Sequence, residues 1–255
     1  MFDLVKIDAG NQIRTGYWFD KCHYYVSNDH LLLSTYPNND MSSKLVYPRF
    51  VMVKDDFYDD PMEVYQAAMS ADYYEPRYYT GLRSRTVYHQ PGVKRKLERI
   101  LGIKITRFDT DPLDENGVFY CGYAKGNKKE VPGVHYDHPP EDITVVIYLT
   151  PDLPFDCGTS LWMHKKTGIT DCPTAADARN LNMKLSDLRQ LFEDDAKKRS
   201  KWQEIDRVGY RFNRMVAYPS GVMHSATNHF GGSISDVRLY QTFRIGVDWS
   251  TFRMK

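Results

Sequence analysis

The sequence predicts a mainly β fold with flanking helices, and three observations predict it. Beyond Gly102 come runs dense in Val, Ile, Tyr, Phe and Thr: GVFYCGYAK, DITVVIYLT, GTSLWMH, RMVAYPS and VRLYQTFRIGV. β-branched and aromatic residues suit a pleated, half-buried surface, so each run reads as a strand. The runs are joined partly by Gly/Pro turns, which suggests a sandwich or a jelly-roll barrel. Between His164 and Arg214 this pattern stops, and Leu181, Leu185, Leu188 and Phe192 recur at helical spacing within a charged stretch. A helical insertion over about residues 165–213 is therefore expected between two strands.

The part ahead of the barrel follows in order. From Phe2 to Val46 the pieces DLVKI, GYWFD, HYYVS and HLLLSTY alternate with Gly, Asn and Asp turns and read as strands of a preliminary sheet. A strand and then a helix are expected next, because Asp60 followed by Pro61 is an N-cap and first-turn signal ahead of Val64, Ala67, Ala68 and Met69. A second helix is expected from near Pro91, with Val93, Leu97, Ile100 and Leu101 on one stripe and Lys94, Arg95, Lys96 and Arg99 on its solvated face. At 255 residues the expectation is a single domain, with residues 1–102 as N-terminal strands and supporting helices and 103–255 as the barrel core.

Hydrophobic residues at 42% and charged residues at 26% allow a sizeable core and exclude a disordered tail or a fibre. A formal net charge of +1 gives no field to gather nucleic acid or an anionic membrane. A small-molecule or peptide substrate is the expected partner. Cys22, Cys121, Cys157 and Cys172 lie far apart and form no C-x-x-C pair, which argues against a zinc knuckle or a thioredoxin-like site and for reduced thiols. The N-terminus MFDLVKIDAG does not read as a secretory signal, and no stretch approaches the length of a membrane span, so a cytoplasmic location is expected.

The chemistry is concentrated in VPGVHYDHPP, where His135 and Asp137 are two apart and, on an extended strand, point to the same face. By itself such a pair is more often a hydrogen-bonded surface pair than a metal site. Context changes this, because GVMHSATNHF places His224 after a strand and a tight Pro-Ser-Gly turn. Two imidazoles and one carboxylate on one face of an octahedron, with the opposite face open, suit non-haem iron(II). Oxygen-only sites would favour calcium or magnesium, and thiolate sites zinc.

In VRLYQTFRI the two-residue period puts Arg238, Tyr240, Thr242 and Arg244 on one face and Val237, Leu239, Gln241, Phe243 and Ile245 on the other. An arginine among hydroxyl-bearing neighbours makes sense where that face lines a polar cavity, since a guanidinium clamps a carboxylate bidentately. Without the upstream His-x-Asp pair, an exposed edge-strand arginine would be the better reading.

Taken together, Phe119 to Trp249 resembles the iron(II)/2-oxoglutarate-dependent dioxygenase superfamily, in particular its prolyl-hydroxylase-like branch. The resemblance rests on an ordered series: Tyr123 ahead of His135-x-Asp137, Tyr148 on the following strand with Val146 and Thr144 on its face, the Gly-rich DCGTSLWMH, His224, and Arg238 with Thr242 on the last strand. It implies a double-stranded β-helix in which His135, Asp137 and His224 bind iron(II), while Arg238, Tyr123, Tyr148 and Thr242 hold 2-oxoglutarate. It further implies that O2 is consumed and a C–H bond of an amino acid, small metabolite or peptide/protein side chain is hydroxylated, with release of succinate and CO2. The sequence departs from the family pattern in two places. Arg238 lies further beyond His224 than is usual, so that Arg244 could substitute in a shifted register, and a cation at Arg244 hints at an acidic substrate. Asp137 argues against halogenation, which needs a small residue there. The alternative from another class is a metal-binding jelly-roll protein without oxygenase turnover.

The remaining residues are weighed against bland roles. His138 points away from Asp137 by strand alternation and reads as structural or rim. His164 reads as a core or rim histidine, His229 as solvent-facing, and Asn228 as a co-substrate contact. Trp162 has the size to wall a substrate pocket, although a large aromatic is more often core. Arg77, Arg83 and Arg85 among tyrosines could recognise an anionic or aromatic substrate, but a surface strand laced with ion pairs is the commoner outcome. The insertion is the candidate substrate-binding element.

Overall fold

The computed structural model describes residues 49–76, 81–109, 116–127, 129–137 and 142–252, and ahead of them the backbone of four strands. His138 and Arg77 lie outside the described residues. Three of the early strands, β1 (Leu4–Asp8), β2 (Ile13–Phe19) and β3 (Cys22–Val26), form an antiparallel sheet of their own. β4 (Leu32–Ser34) joins β5 (Arg49–Lys54) at the edge of a larger sheet.

α1 (Pro61–Met69) begins where Asp60 Oδ1 accepts the backbone N–H groups of Met62 and Glu63, both at 3.1 Å, which satisfies two donors that the first turn leaves open. It buries Val64 and Ala68. Two short strands, β6 (Tyr73–Tyr74) and β7 (Leu82–Ser84), precede α2 (Val93–Leu101), which buries Val93, Leu97 and Leu101 and ends at Gly102 with φ 65°. The strands beyond Gly102 are β8 (Lys104–Arg107), β9 (Phe119–Gly122), β10 (Ile143–Tyr148), β11 (Thr159–His164), β12 (Trp202–Val208), β13 (Met215–Pro219), β14 (His224–Ala226) and β15 (Arg238–Asp248).

These strands form two antiparallel sheets. The larger has the order β4-β5-β13-β10-β15-β9-β7-β6, with β8 pairing on the far end of β15, and the smaller has the order β12-β11-β14. One face of the larger sheet carries Val145, Ile147, Leu239, Phe243 and Ile245 into a core shared with Val64 and Ala68 of α1 and Leu97 of α2. The other face carries Val146, Tyr148 and Tyr218 toward the smaller sheet, where the Tyr148 hydroxyl donates to Thr159 Oγ1 at 2.8 Å. All six residues of β10 are buried, because helices cover one face of its sheet and the second sheet covers the other.

Between β11 and β12 lie α3 (Ala175–Asn180), started by a Thr174–Asp177 capping box, and α4 (Leu185–Asp195). Leu188 and Phe192 of α4 pack with Trp162, Trp202 and Met223 in a core separate from the main one. The insertion is shorter than expected: Trp202–Val208, placed by sequence inside the 165–213 segment, is strand β12, paired to β11 along its length. Gln203, Glu204, Asp206 and Arg207 mask it, since an edge strand tolerates charges that a central strand does not. Cys121, Cys157 and Cys172 are free thiols. Among the described residues no helix is long and apolar enough to cross a membrane.

Candidate metal centre

The chain turns tightly after β13, where the Val222 N–H donates to the Pro219 carbonyl at 3.1 Å, and this turn delivers His224 to the first position of β14. There it meets His135. The N–H of His135 donates to the His224 carbonyl at 2.9 Å and the N–H of His224 to the His135 carbonyl at 2.8 Å, one antiparallel rung added to the smaller sheet. Asp137, two residues on, is fixed by its own N–H donating to the Ser220 carbonyl at 2.8 Å.

Both rings are oriented by the main chain. Nδ1 of His135 lies 2.9 Å from the Gly133 carbonyl and Nδ1 of His224 lies 2.8 Å from the Val222 carbonyl. A carbonyl only accepts, so each Nδ1 carries the proton and each Nε2 presents a lone pair. Nε2 of His135 is 3.9 Å from Asp137 Oδ1, and Nε2 of His224 is 3.7 Å from Oδ2. One candidate ligand atom from each of the three residues lies within 4.8 Å of the others. Two imidazoles with their second nitrogens engaged by carbonyls, beside one carboxylate, fit a divalent transition metal.

Asp137 is 5% exposed, and its carboxylate is held on both sides: Oδ2 accepts from Thr144 Oγ1 at 2.5 Å, and Oδ1 lies 3.2 Å from Nη2 of Arg244. Thr144 is itself held 2.9 Å from Ser220 Oγ. Burial alone would raise the Asp137 pKa, but the Arg244 charge, then the two imidazoles and the Thr144 hydrogen bond, outweigh it, so the carboxyl stays well below the usual range and ionised. Burial, followed by the neighbouring His135 ring, lowers His224 to about 4, which keeps it neutral as a ligand must be.

The triad lies on the wall of a cavity of about 490 Å³ between the two sheets, and Arg238, Thr242 and Arg244 of β15 line it together, as their shared strand face predicts. Arg238 is 2% exposed; its Nε donates to the Cys157 carbonyl at 2.6 Å and its Nη2 to the Gly158 carbonyl at 3.1 Å. The guanidinium lies 4.4 Å from the Tyr240 ring centre and 5.4 Å from that of Tyr148. Gly158 is required at this point, because a Cβ there would sit 1.9 Å from the Val208 carbonyl oxygen.

Several sequence expectations are corrected. Tyr123 does not reach the cavity: it packs in the main core, on the face of its strand opposite Tyr120, and Tyr120 is the tyrosine that lines the cavity. Alternation from Gly122, which pairs with Arg238, puts Tyr120 on the Arg238 side. Trp162 does not line the cavity; it is buried in the insertion's core, where its Nε1 donates to Ser225 Oγ at 3.0 Å. His229 is not solvent-facing; it lines the cavity 3.1 Å from Glu130, where burial and then the Arg238 charge lower its pKa to about 3. Asn228 points instead to Asp156 at 3.0 Å. His164 is a core histidine, as read, wedged between Phe192 and Trp202. The surface reading holds for Arg85, which pairs with Asp72 at 3.1 Å, and fails for Arg83, which is buried on the cavity wall.

The sequence of residues 126–236 matches a family described as a family of unknown function, DUF6445. That stretch contains the His-Asp-His cluster and the insertion, and stops short of β15 and Arg238. No curated protein matches the chain.

Proposed function

We propose that this chain is a non-haem iron(II), 2-oxoglutarate-dependent oxygenase that hydroxylates a C–H bond of an amino acid, small metabolite or peptide side chain, releasing succinate and CO2. The observation that carries the reading is the convergence of His135, Asp137 and His224 in one cavity with the buried Arg238. Strand order supports it. The chain runs through β9 in the larger sheet, the His135 rung in the smaller, β10 in the larger, β11 and β12 in the smaller, then β13, β14 and β15 in alternation. Such alternation between two sheets supports a double-stranded β-helix reading of the fold.

In this reading His135, Asp137 and His224 would hold the iron(II). Iron, when bound, supplies the redox chemistry that couples oxidative decarboxylation of 2-oxoglutarate to oxidation of the substrate by O2. Arg238 takes the far carboxylate of the co-substrate. Its carbonyl partners directly precede Thr159, which lies opposite Ala226, two residues along β14 from His224. Two strand residues span roughly 7 Å, a gap that a five-carbon dicarboxylate anchored at the triad can bridge. Arg244 is engaged by Asp137 instead, which favours Arg238 for this role. Tyr148, expected to hold 2-oxoglutarate, instead is buried off the cavity lining with its hydroxyl donated to Thr159 and its ring 5.4 Å from the Arg238 guanidinium, while Thr242 lines the cavity. A cytoplasmic setting, with its reduced thiols, belongs to the same reading.

Anaerobic titration of the chain with iron(II) and 2-oxoglutarate tests it. A weak visible charge-transfer band, followed by succinate formation in air, is the expected result. Metal binding with neither band nor succinate would leave a metal-binding barrel protein without turnover.

A further inference from the structure

The two ends of the insertion meet just beyond β11. The Lys165 N–H donates to the Lys201 carbonyl at 2.9 Å, its Nζ donates to the Ser200 carbonyl at 3.0 Å, and the Lys201 N–H donates to the Lys198 carbonyl at 2.8 Å. These bonds gather Lys165, Lys166, Lys197, Lys198 and Lys201, all exposed, into one knot around the buried His164–Asp195 pair. Among the described residues Lys198 alone of the five is ion-paired, with Asp195 at 3.1 Å. Five lysines thus stand against Glu193, Asp194 and Asp195, and the last is buried and held by His164 as well.

The knot runs into the cavity through Lys197, which lines it. The Lys197 Cγ lies 3.6 Å from the point that a Cβ on Gly133 would occupy, and the neighbouring Ala196 carbonyl accepts the Val134 N–H at 2.8 Å. Toward the start of that segment the cavity edge turns apolar. Val131, 46% exposed, stands between Glu130 and Pro132, which both line the cavity, and Phe230, 37% exposed, follows His229, which also does. The two are brought together because the Glu130 N–H donates to the Tyr123 carbonyl and the Ala124 N–H to the Gly231 carbonyl, both at 3.0 Å. The edge of the cavity therefore has an apolar side at Phe230 and Val131 and a cationic side at Lys197 and the knot.

We propose that this edge docks the substrate as an extended polypeptide segment, with acidic residues on the lysine knot, an apolar residue on Val131 and Phe230, and the side chain between them directed to the metal centre. The inference rests on the oxygenase reading for what that side chain undergoes, and narrows its substrate to a peptide or protein. Each exposed ion pair is weak by itself. Cations within a Debye length, about 8–10 Å in physiological salt, act on a partner together, and complementary charge selects which partner is accepted. A nucleic acid fits less well, because it needs cations along the length of its backbone. Here the cations give way to apolar side chains, and the whole chain carries a net charge of +1.

The test is fluorescence anisotropy of the full chain, held anaerobically with iron(II) and 2-oxoglutarate, against a labelled peptide that carries four glutamates at one end, two leucines at the other and glycines between. The expected result is saturable binding that weakens at least tenfold in K166E/K201E and several-fold in F230S, with the visible band of the iron chelate unchanged in both variants. A peptide with lysines in place of the glutamates should show the reverse order and bind K166E/K201E better than the wild type. No binding of the acidic peptide, equal binding to K166E/K201E or to F230S, or tighter binding of a single-stranded oligodeoxynucleotide of the same length overturns the proposal. The chelate band, read on the same samples, keeps the two readings apart. A band without peptide binding removes the docking surface and leaves the oxygenase, whereas peptide binding without a band removes the oxygenase and leaves the docking surface.

Discussion

His135 and His224 hold each other through the main chain, N–H to carbonyl in both directions at 2.9 and 2.8 Å, with their rings 4.4 Å apart. Their side chains can therefore be altered without undoing the rung that brings them together. His224→Ala is expected to cost only about 1–2 kcal/mol of stability, within the usual range for one buried substitution, while weakening cobalt(II) binding by orders of magnitude. The visible spectrum of a cobalt titration, run beside a urea melt, measures both. Undiminished binding would place the metal elsewhere.

Arg238 and Arg244 share a strand face and are predicted to differ in kind. Arg238→Ala is expected to raise the 2-oxoglutarate requirement at least about thirtyfold, since losing one partner of a buried charge pair costs roughly 2 kcal/mol or more. Arg244→Ala removes the cation beside Asp137 and leaves the Arg238 end intact, so its 2-oxoglutarate requirement is expected to shift by less than about threefold, the scale of a partly exposed pair. Succinate formation against 2-oxoglutarate concentration separates the two. The reverse order of effects would exchange their roles.

Much of this site was legible because it is written in strand periodicity. Two-residue spacing aligns His135 with Asp137 and places Arg238, Thr242 and Arg244 on one wall, whatever the loops between them do. The same rule, applied from Gly122, selects Tyr120 over Tyr123, which stands an odd number of residues from Tyr120 and so turns to the opposite face. What periodicity could not supply was pairing between distant strands. Nothing local to Leu82–Ser84 says that β7 lies beside β9, so Arg83 read as a surface residue. His229 was hidden in the same way, since only the fold lays its ring over Gly122, where a Cβ would meet it at 2.8 Å. In the insertion, β12 was lost among its own charges.

Three buried histidines set the pH dependence of the metal-free protein. Burial lowers His164, and lowers His224 to about 4 and His229 to about 3. A histidine whose folded pKa lies below its unfolded value takes up a proton first in the unfolded state, so acid favours unfolding. Stability is then expected to be flat above about pH 6.5, the unfolded histidine value, and to fall as pH drops from there toward 4. Each histidine contributes a limiting slope of about 1.4 kcal/mol per pH unit. Urea melts in chelator between pH 4.5 and 8 read the slope, and His229→Gln should remove one histidine's share. A profile that stays flat to pH 4.5 would contradict the buried, neutral state of these rings.

Arg199 is the link through which the insertion acts on the metal strand. Its Nη1 donates to Ser225 Oγ at 3.0 Å and its Nη2 to the carbonyls of Ala226 and Thr227 at 3.0 and 3.3 Å, directly after His224. Its guanidinium also lies 4.4 Å from the Trp162 ring centre, and Trp162 donates to the same Ser225 hydroxyl. On the other side of the rung, the Val134 N–H donates to the Ala196 carbonyl at 2.8 Å, so the end of the insertion ties down both histidine-bearing segments. Arg199→Ala is expected to cost about 1–3 kcal/mol, the scale of charge-assisted hydrogen bonds lost with their acceptors left unpaired. Because β14 is only three residues long and these three hydrogen bonds fall on the residues directly after His224, cobalt(II) affinity is expected to fall about tenfold or more, as it does when groups that orient metal ligands are lost. Arg199→Lys, which keeps the charge but loses the fork, should fall between the two. Loss of stability with unchanged cobalt affinity would reduce the insertion to a structural cover.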